Sequence, residues 1–306
     1  MMRFTVKAPA SSANLGPGFD AIGIALDLWN EVTIDTDGPA GEVVNTGSEA
    51  ALLEGRNNLT LSAMETLAKE FDRQLPPFQL TAETNIPIAR GLGSSAAALV
   101  AGLVAADHLL DLGLSRDELF ARAWEIEGHG DNVGAAMHGG AVLSVPGVHH
   151  IVPLWSEGEP GISAVVFIPE ATGATWAARA ALPSHIPHAD ATFNLARAAG
   201  LALGLQRRDH ELIAAGMHDR LHEPYRARLF PHLDEMKHAA VEAGALGAAL
   251  SGAGPTVIAL VAHDNVAAVQ AAFREAAHRL GTEGRACELA PVREGVQLHE
   301  AAVSRS

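Results

Sequence analysis

The sequence predicts an α+β protein of two domains. Three observations carry that expectation. Period-two strand patterns alternate along the chain with helical stretches, beginning with Arg3 to Ala8 and the run that ends in LDLWNEVTI. The 306 residues, 48% hydrophobic and 19% charged, fit two modest domains or one large one and are ample for a core. The segment WSEGEPG reads as a linker, so residues 1–155 and 163–306 are expected to be the two units.

Taken in order, Arg3 to Ala8 alternates as a strand and runs into PASSANLGPGF, a polar glycine-rich stretch expected as a loop before a long second strand. Asn57 and Asn58 can cap a helix reaching about Phe71, in which Leu61, Met64, Leu67 and Ala68 recur at helical spacing. Pro76 and Pro77 end the connection, and Phe78 to Thr84 reads as a strand. Ala96 to Ala106 is apolar on every side, which predicts a buried helix whose small residues allow close packing on a sheet. Ser115 and Glu118 form a capping box at the start of an amphipathic helix running to Glu127. Gly139 to Val145 and Ile151 to Leu154 read as a strand pair around the loop VPGVHH. Ser163 to Pro169 opens the second set of elements. Helices follow at roughly 189–205, 209–217 and 231–243, the last with Pro231 suited to a first turn. ALGAALSGAGPTVIALV reads as strand, glycine turn and strand, and a helix spans about Asn265 to Arg279.

Composition narrows the function. Lys+Arg 21 against Asp+Glu 36 leaves a net charge of -15, which repels a nucleic-acid backbone over most of the surface, so no nucleic-acid partner is expected. The single Cys287 excludes an internal disulfide and suits a cytoplasmic location. FTVKAPASSANLGPGF is broken by Lys, Asn, Pro and Gly, so neither a signal peptide nor a membrane span is expected. The 15 histidines show no zinc-ligand spacing.

The chemistry concentrates in PIARGLGSSAA, residues 87–97. Gly91 and Gly93 can take positive φ and bring backbone close to a bulky anion, and Ser94 and Ser95 sit where a helix begins. Free amides of that first turn, with the positive end of the macrodipole behind them, suit phosphate. A serine hydroxyl there can also reach a nucleotide's magnesium. The string has neither the Walker lysine nor the dinucleotide G-x-G-x-x-G spacing. A plain serine-capped loop is the alternative on residues alone. Asn14 and Asp20 admit a plain turn as well as a ligand pocket. Glu127 and Asp131, flanking G-H-G, admit a solvated surface as well as a cleft, and His129 with Asp131 admits a metal pair.

P-x-x-x-G-L-G-S-S-A-A resembles the phosphate-loop signature of the GHMP kinases, small-molecule kinases acting on galactose, homoserine, mevalonate and phosphomevalonate. A-P-A-S-S-A-N-L-G-P-G-F-D is similar to the opening signature of their homoserine kinase branch. E-G-H-G-D-N-V, T-W-A-A-R-A-A-L-P, E-P-Y-R and S-G-A-G-P follow in family order across nearly the whole chain. The resemblance implies a ribosomal S5-like N-terminal domain that binds ATP, a ferredoxin-like C-terminal domain and an active site between them. It assigns Pro87, Ile88, Ala89, Arg90, Gly91, Leu92, Gly93, Ser94, Ser95, Ala96 and Ala97 to ATP, and Ser94 or Ser95 with Glu127 to Mg2+. It assigns Asn14, Asp20, His129, Asp131, Asn132, Thr175, Arg179 and Arg226 to the amino acid. There Asp20 and Asn14 would meet the ammonium, Arg179 and Arg226 the carboxylate, and Asp131 and Asn132 the reacting hydroxyl. Whether Asp131 is a base or only orients that hydroxyl stays open. Three departures stand out: Gly130 for proline, Gly134-Ala135 for Ala-Pro, which suggest a less rigid loop, and Ala253 for serine in the last motif.

The implied reaction is ATP plus L-homoserine giving ADP and O-phospho-L-homoserine, a step of threonine biosynthesis. Another GHMP kinase, such as a mevalonate or sugar kinase, and a non-catalytic nucleotide-binding regulator are the competing readings, and a homodimer stays open.

Overall fold

The computed structural model describes residues 2–148, 150–155 and 157–300. Two sheets organise the chain. The first has seven strands in the order β11-β1-β2-β4-β3, with β5 on the other half of β2 and β6 beyond β5. Its spine is the antiparallel pair β1 (Arg3–Asn14) and β2 (Gly18–Asp35). At 18 residues, β2 is long enough to pair at Ile22–Ile24 with β5 (Ala141–Leu143) and at Glu31–Asp35 with β4 (Gln79–Glu83). β3 (Val43–Thr46) lies parallel to β4, and β6 (Val152–Trp155) antiparallel to β5.

The stretch read as a loop after Ala8 is strand instead, and only residues 15–17 turn the chain. Polarity misled there: Ser11 and Ser12 are fully buried yet bonded by their hydroxyls to Asn132 and Ser251, so they occupy ladder positions at no desolvation loss.

α1 (Leu59–Glu70), capped by Asn58, and α2 (Ser94–Leu110) pack on one another and α2 on the spine. Gly102 permits that approach, since a Cβ there would stand 2.4 Å from the Thr60 carbonyl oxygen. α3 (Arg116–Glu127) starts at the expected capping box of Ser115 and Glu118. The loop expected after it is α4 (Asp131–His138), which packs on β1 and β2. Gly134 is a helix residue against Ile151, whose Cδ1 would lie 2.5 Å from an added Cβ, so this departure serves close packing and not a flexible loop.

The second sheet, β10-β7-β9-β8, is antiparallel throughout. Strands β7 (Ser163–Pro169) and β9 (Val257–Val261) are buried on both faces. Their alternation divides two cores: Ala164, Val166, Ile168, Ile258 and Leu260 join the large core of the first sheet, with Leu201 of α6 (His188–Arg207) and Ile213 of α7 (His210–Gly216). Val165, Phe167, Val257, Ala259 and Val261 face α9 (Leu233–Glu242) and α10 (Val266–Leu280). Pro231 precedes α9 by two residues, and His232 occupies the cap. Short helices α5 (Thr175–Ala180) and α8 (Glu223–Arg226) carry the two expected arginines, and β8 (Ala245–Leu250) leads into the S-G-A-G-P turn. β10 (Gly284–Glu288) is an edge strand absent from the sequence reading, as is β11 (Gln297–Glu300), which returns the chain to the first sheet beside β1. Residues His149 of the expected VPGVHH loop and Ser156 of the expected linker lie outside the described residues.

Candidate active site

A cavity of about 410 Å3 lies where the two sheets' loops meet. Its floor is the segment between β4 and α2. Gly91 and Gly93 have φ of 79° and 70°, and Ala89 also has positive φ at 55°. Neither glycine tolerates a side chain: a Cβ would lie 2.2 Å from the Ser251 carbonyl oxygen at Gly91 and 2.1 Å from Ser11 Oγ at Gly93. Among the described residues, none accepts a hydrogen bond from the amides of Gly91, Leu92 or Gly93. The first helical bond of α2 runs from Ala97 N to Gly93 O, so the amides before it add to a concave set of donors.

The second lobe grips this loop. Gly173 N donates to Ala89 O at 2.7 Å, Thr256 N to Arg90 O at 3.3 Å, and Ser251 Oγ to Gly91 O at 2.6 Å. The S-G-A-G-P turn thus docks on this glycine loop, Ala253 lining the cavity without a hydroxyl. Arg90 points away. Its guanidinium holds Glu49 at 3.0 Å and the carbonyls of Pro169 and Glu170, and it does not line the cavity. Ala96 and Ala97 are fully buried in α2 and do not line it either. Pro87, Ile88, Ala89, Gly91, Leu92, Gly93, Ser94 and Ser95 do. Leu53, Asn45 and Asn57 border the far end, beside Asn58, whose Oδ1 caps α1 at Leu61 N.

Across the loop, α3 ends at Glu127 and α4 begins at Asp131, which sets Glu127, His129, Asp131 and Asn132 on one wall. Ser95 Oγ lies 3.5 Å from Glu127 Oε1; of the two serines it is Ser95 that reaches the carboxylate, while Ser94 lines the cavity beside it. Burial pushes the Glu127 carboxyl above its ordinary value, opposed by His129 and reinforced by the Asp131 charge. A carboxylate half out of water, with His129 Nε2 3.9 Å from its Oε1 and a serine hydroxyl beside it, fits a hard cation with oxygen ligands. Asp131 is buried, and its Oδ1 accepts from Asn132 N at 2.7 Å and pairs with His129 Nδ1 at 2.6 Å. Burial depresses His129, but the hydrogen bond and charge of Asp131, then Glu127 and Asp20, lift its pKa overall above an ordinary histidine's. Asn132 Oδ1 accepts from Ser11 Oγ at 2.9 Å.

The remaining residues close the other end. Asp20 and Arg179 form a two-pronged pair at 2.8 and 3.0 Å. Asp20 therefore meets a guanidinium, although with His129 and Asp131 it also forms a group whose ligand atoms lie within 4.8 Å of one another. Asn14 is buried: Nδ2 donates to Gly252 O and Oδ1 accepts from Asp20 N, so both ends of its amide shape the turn. Thr175 lines the rim, exposed, at the first turn of α5. Arg226 is buried at the base, and Arg228 is exposed. Phe19, passed over in the sequence, underlies both arginines, with the Arg226 and Arg179 guanidinium carbons 5.4 and 5.9 Å from its ring centroid. Its signal was its place between the glycine turn and Asp20. Ser11 is hidden in the sequence for the same reason as the strand that carries it: a buried hydroxyl looks like a loop residue.

Two family models match: the GHMP kinases N terminal domain over residues 58–140 and the GHMP kinases C terminal over 201–279. The chain is 41% identical over 292 residues to a homoserine kinase of Synechococcus sp. (strain CC9605), covering 93% of this chain and 92% of that one. It is 38% identical to a homoserine kinase of Desulfitobacterium hafniense, covering 96% of this chain and 99% of the relative. The crystal structure of homoserine kinase from Cytophaga hutchinsonii superposes with a TM-score of 0.85 at 27% identity, covering 97% and 98% of the two chains. A crystal structure of mevalonate kinase, 18% identical with a TM-score of 0.69, shares the fold. With both family domains present in order and relatives this similar along nearly its full length, the chain belongs to the GHMP kinases.

Proposed function

We propose that this kinase transfers the γ-phosphoryl group of ATP to the side-chain hydroxyl of L-homoserine, giving O-phospho-L-homoserine for threonine biosynthesis. The single observation that carries the choice of acceptor is the end of the cavity opposite Leu53, Asn45 and Asn57, where Arg179, Arg226 and Asp20 converge. Two guanidinium groups and a carboxylate suit a zwitterion; a neutral sugar would leave Arg226 Nη2, which forms no hydrogen bond among the described residues, without an anion.

Phosphoryl transfer asks a protein mainly to position reactants and neutralise charge. The amides from Gly91 to the first turn of α2 receive the phosphates, and residues 1–155 supply this nucleotide side. Arg179 and Arg226, from the unit beginning at residue 163, receive the amino acid carboxylate. Asp20 and Asn14 receive the ammonium, with His129 and Thr175 beside it. Asp131 and Asn132 orient the hydroxyl. Glu127, with Ser95 or Ser94, would hold Mg2+, which when bound neutralises phosphate charge. Asp131 already accepts two hydrogen bonds through Oδ1, which supports an orienting role over that of a base.

The test is ADP release with homoserine, mevalonate and galactose offered in turn. Turnover of homoserine alone is expected. Preference for mevalonate or galactose would move the protein to another branch of the family, and no turnover of any would support a non-catalytic nucleotide-binding protein.

A further inference from the structure

Arg226 is held by a buried polar network that neither the motif reading nor the reaction accounts for. Its Nε donates to Ala178 O at 3.2 Å, and its Nη1 donates to Gly252 O at 3.0 Å. Nη1 also lies 3.3 Å from Nδ1 of His222, one helical turn back and fully buried. The other ring nitrogen of His222, Nε2, is 2.8 Å from Gly16 O.

These distances fix the imidazole's protonation. A backbone carbonyl only accepts, so Nε2 carries the proton. An arginine only donates, so Nδ1 must be bare; a second proton there would face a guanidinium across 3.3 Å. His222 is thus neutral, in the Nε2–H form, and burial keeps it so by depressing its pKa. The ring is clamped further. Phe19 stacks on it at 5.2 Å, and Asp219 accepts from the amides of Leu221, His222 and Glu223, which fixes the turn carrying it. Asn194 secures Asp219 in turn at 3.0 Å. With Nε and both Nη1 protons engaged, only Nη2 of Arg226 forms no hydrogen bond among the described residues, and Arg226 lines the cavity.

We infer that His222 is a positioning residue: as a neutral acceptor it turns the Arg226 guanidinium so that Nη2 presents its two protons to the acceptor substrate's carboxylate. This rests on the reading of Arg226 as a carboxylate ligand. A purely structural histidine would need only the Gly16 bond; a positioning one needs the Nδ1 lone pair.

Two near-isosteric variants separate these. H222Q keeps a donor where Nε2 stands and loses the acceptor at Nδ1. H222N keeps an oxygen where Nδ1 stands and loses the donor to Gly16. Each loses one buried hydrogen bond, so both are expected to melt earlier. H222Q is expected to raise KM for homoserine by about tenfold, the scale of one hydrogen bond to a charged group, with KM for ATP and kcat within about twofold. H222N is expected to restore the homoserine KM to within about threefold of the wild type. Equal effects of the two variants on homoserine KM, or none from H222Q, would overturn the inference. Nitrogen-15 spectra of the wild-type imidazole test it without any variant: a proton on Nε2 alone agrees, and one on Nδ1 contradicts. Should the wild type itself ignore homoserine, the acceptor assignment fails, while the spectra still decide how His222 meets Arg226.

Discussion

Asp20 and Arg179, 159 residues apart in the chain, face each other across the cleft, each carboxylate oxygen taking one guanidinium nitrogen at 3.0 and 2.8 Å. The pair links the start of β2 to α5, so the second sheet's unit is tied to the first at the place where the acceptor is proposed to bind. Hydrogen bonding to Asp20 lifts the Arg179 pKa further above its ordinary value, against the effect of burial. With side chains 40% and 35% exposed, the pair contributes little to folding, at most about 1 kcal/mol. Asp20→Asn is therefore expected to shift the melting midpoint by less than about 4 °C. It is expected to raise KM for homoserine by about tenfold or more through loss of the charge that meets the ammonium. Steady-state kinetics beside a thermal scan checks both; an unchanged KM refutes the role.

Gly93→Ala tests the phosphate cradle. An alanine must hold φ near 70° and place its Cβ against Ser11 Oγ, the hydroxyl that holds Asn132. Strain alone costs about 1–2 kcal/mol, and relief by loop movement misplaces the amides. ATP affinity is expected to fall at least about tenfold in a folded protein. Intact affinity by calorimetry would sink this use of the loop.

Glu127 couples stability to function. Its carboxyl pKa is raised in the fold, so the native state keeps the proton to higher pH than the unfolded chain does. The stability this group contributes is full below the unfolded value, about 4.3, and is lost as pH rises through the folded one. Glu127→Gln, neutral at all pH, is expected to melt higher than the wild type at pH 7 without magnesium, by about 2 °C. It is also expected to lose magnesium-dependent turnover. A variant that melts lower, or that keeps its response to magnesium, contradicts the assignment.

Asp131→Asn separates orientation from base catalysis. A general base contributes roughly 10² to 10⁴ in rate. The expected loss in kcat is less than about 10²-fold, because asparagine still accepts a hydrogen bond. The His129 pKa is expected to fall, since Asp131 supplies the hydrogen bond and charge that raise it. In the wild type that raised pKa gives stability that is full below the unfolded histidine value, about 6.5, and is lost as pH rises through the folded one. NMR titration of the imidazole reads the shift; a loss on the base scale with homoserine affinity intact would make Asp131 the base.

The sequence was most legible where a local signal sufficed. The capping box at Ser115 and Glu118, the glycines before Ser94 and the all-round apolar run of α2 each declare themselves within a few residues. It was least legible where partners lie far apart. Ser11 and Ser12 read as loop because their hydroxyls bond to Asn132 and Ser251, remote in the chain. The edge strand β10 is too exposed to show a buried face, and β11 is defined only by its pairing with β1. The resemblance assigns Arg90 to ATP by its position in the motif, yet the side chain turns to Glu49, Pro169 and Glu170, contacts that no spacing reveals. The network of Asn194, Asp219 and His222 behind Arg226 is of the same kind.

The most direct measurement is kcat/KM for homoserine beside homoserinol, which keeps the hydroxyl and ammonium but has no carboxylate. A site built around a polar group rejects an analogue without it by up to ~10⁴ to 10⁵, whereas a methylene difference gives only ~10 to 200-fold. With the Nη2 of Arg226 left without an anion and Arg179 facing Asp20 alone, homoserinol is expected to lose several hundredfold or more of kcat/KM, roughly the range above a methylene difference. Comparable kcat/KM for the two alcohols would show that the arginines do not receive the acceptor's carboxylate and that the site is not built for the amino acid.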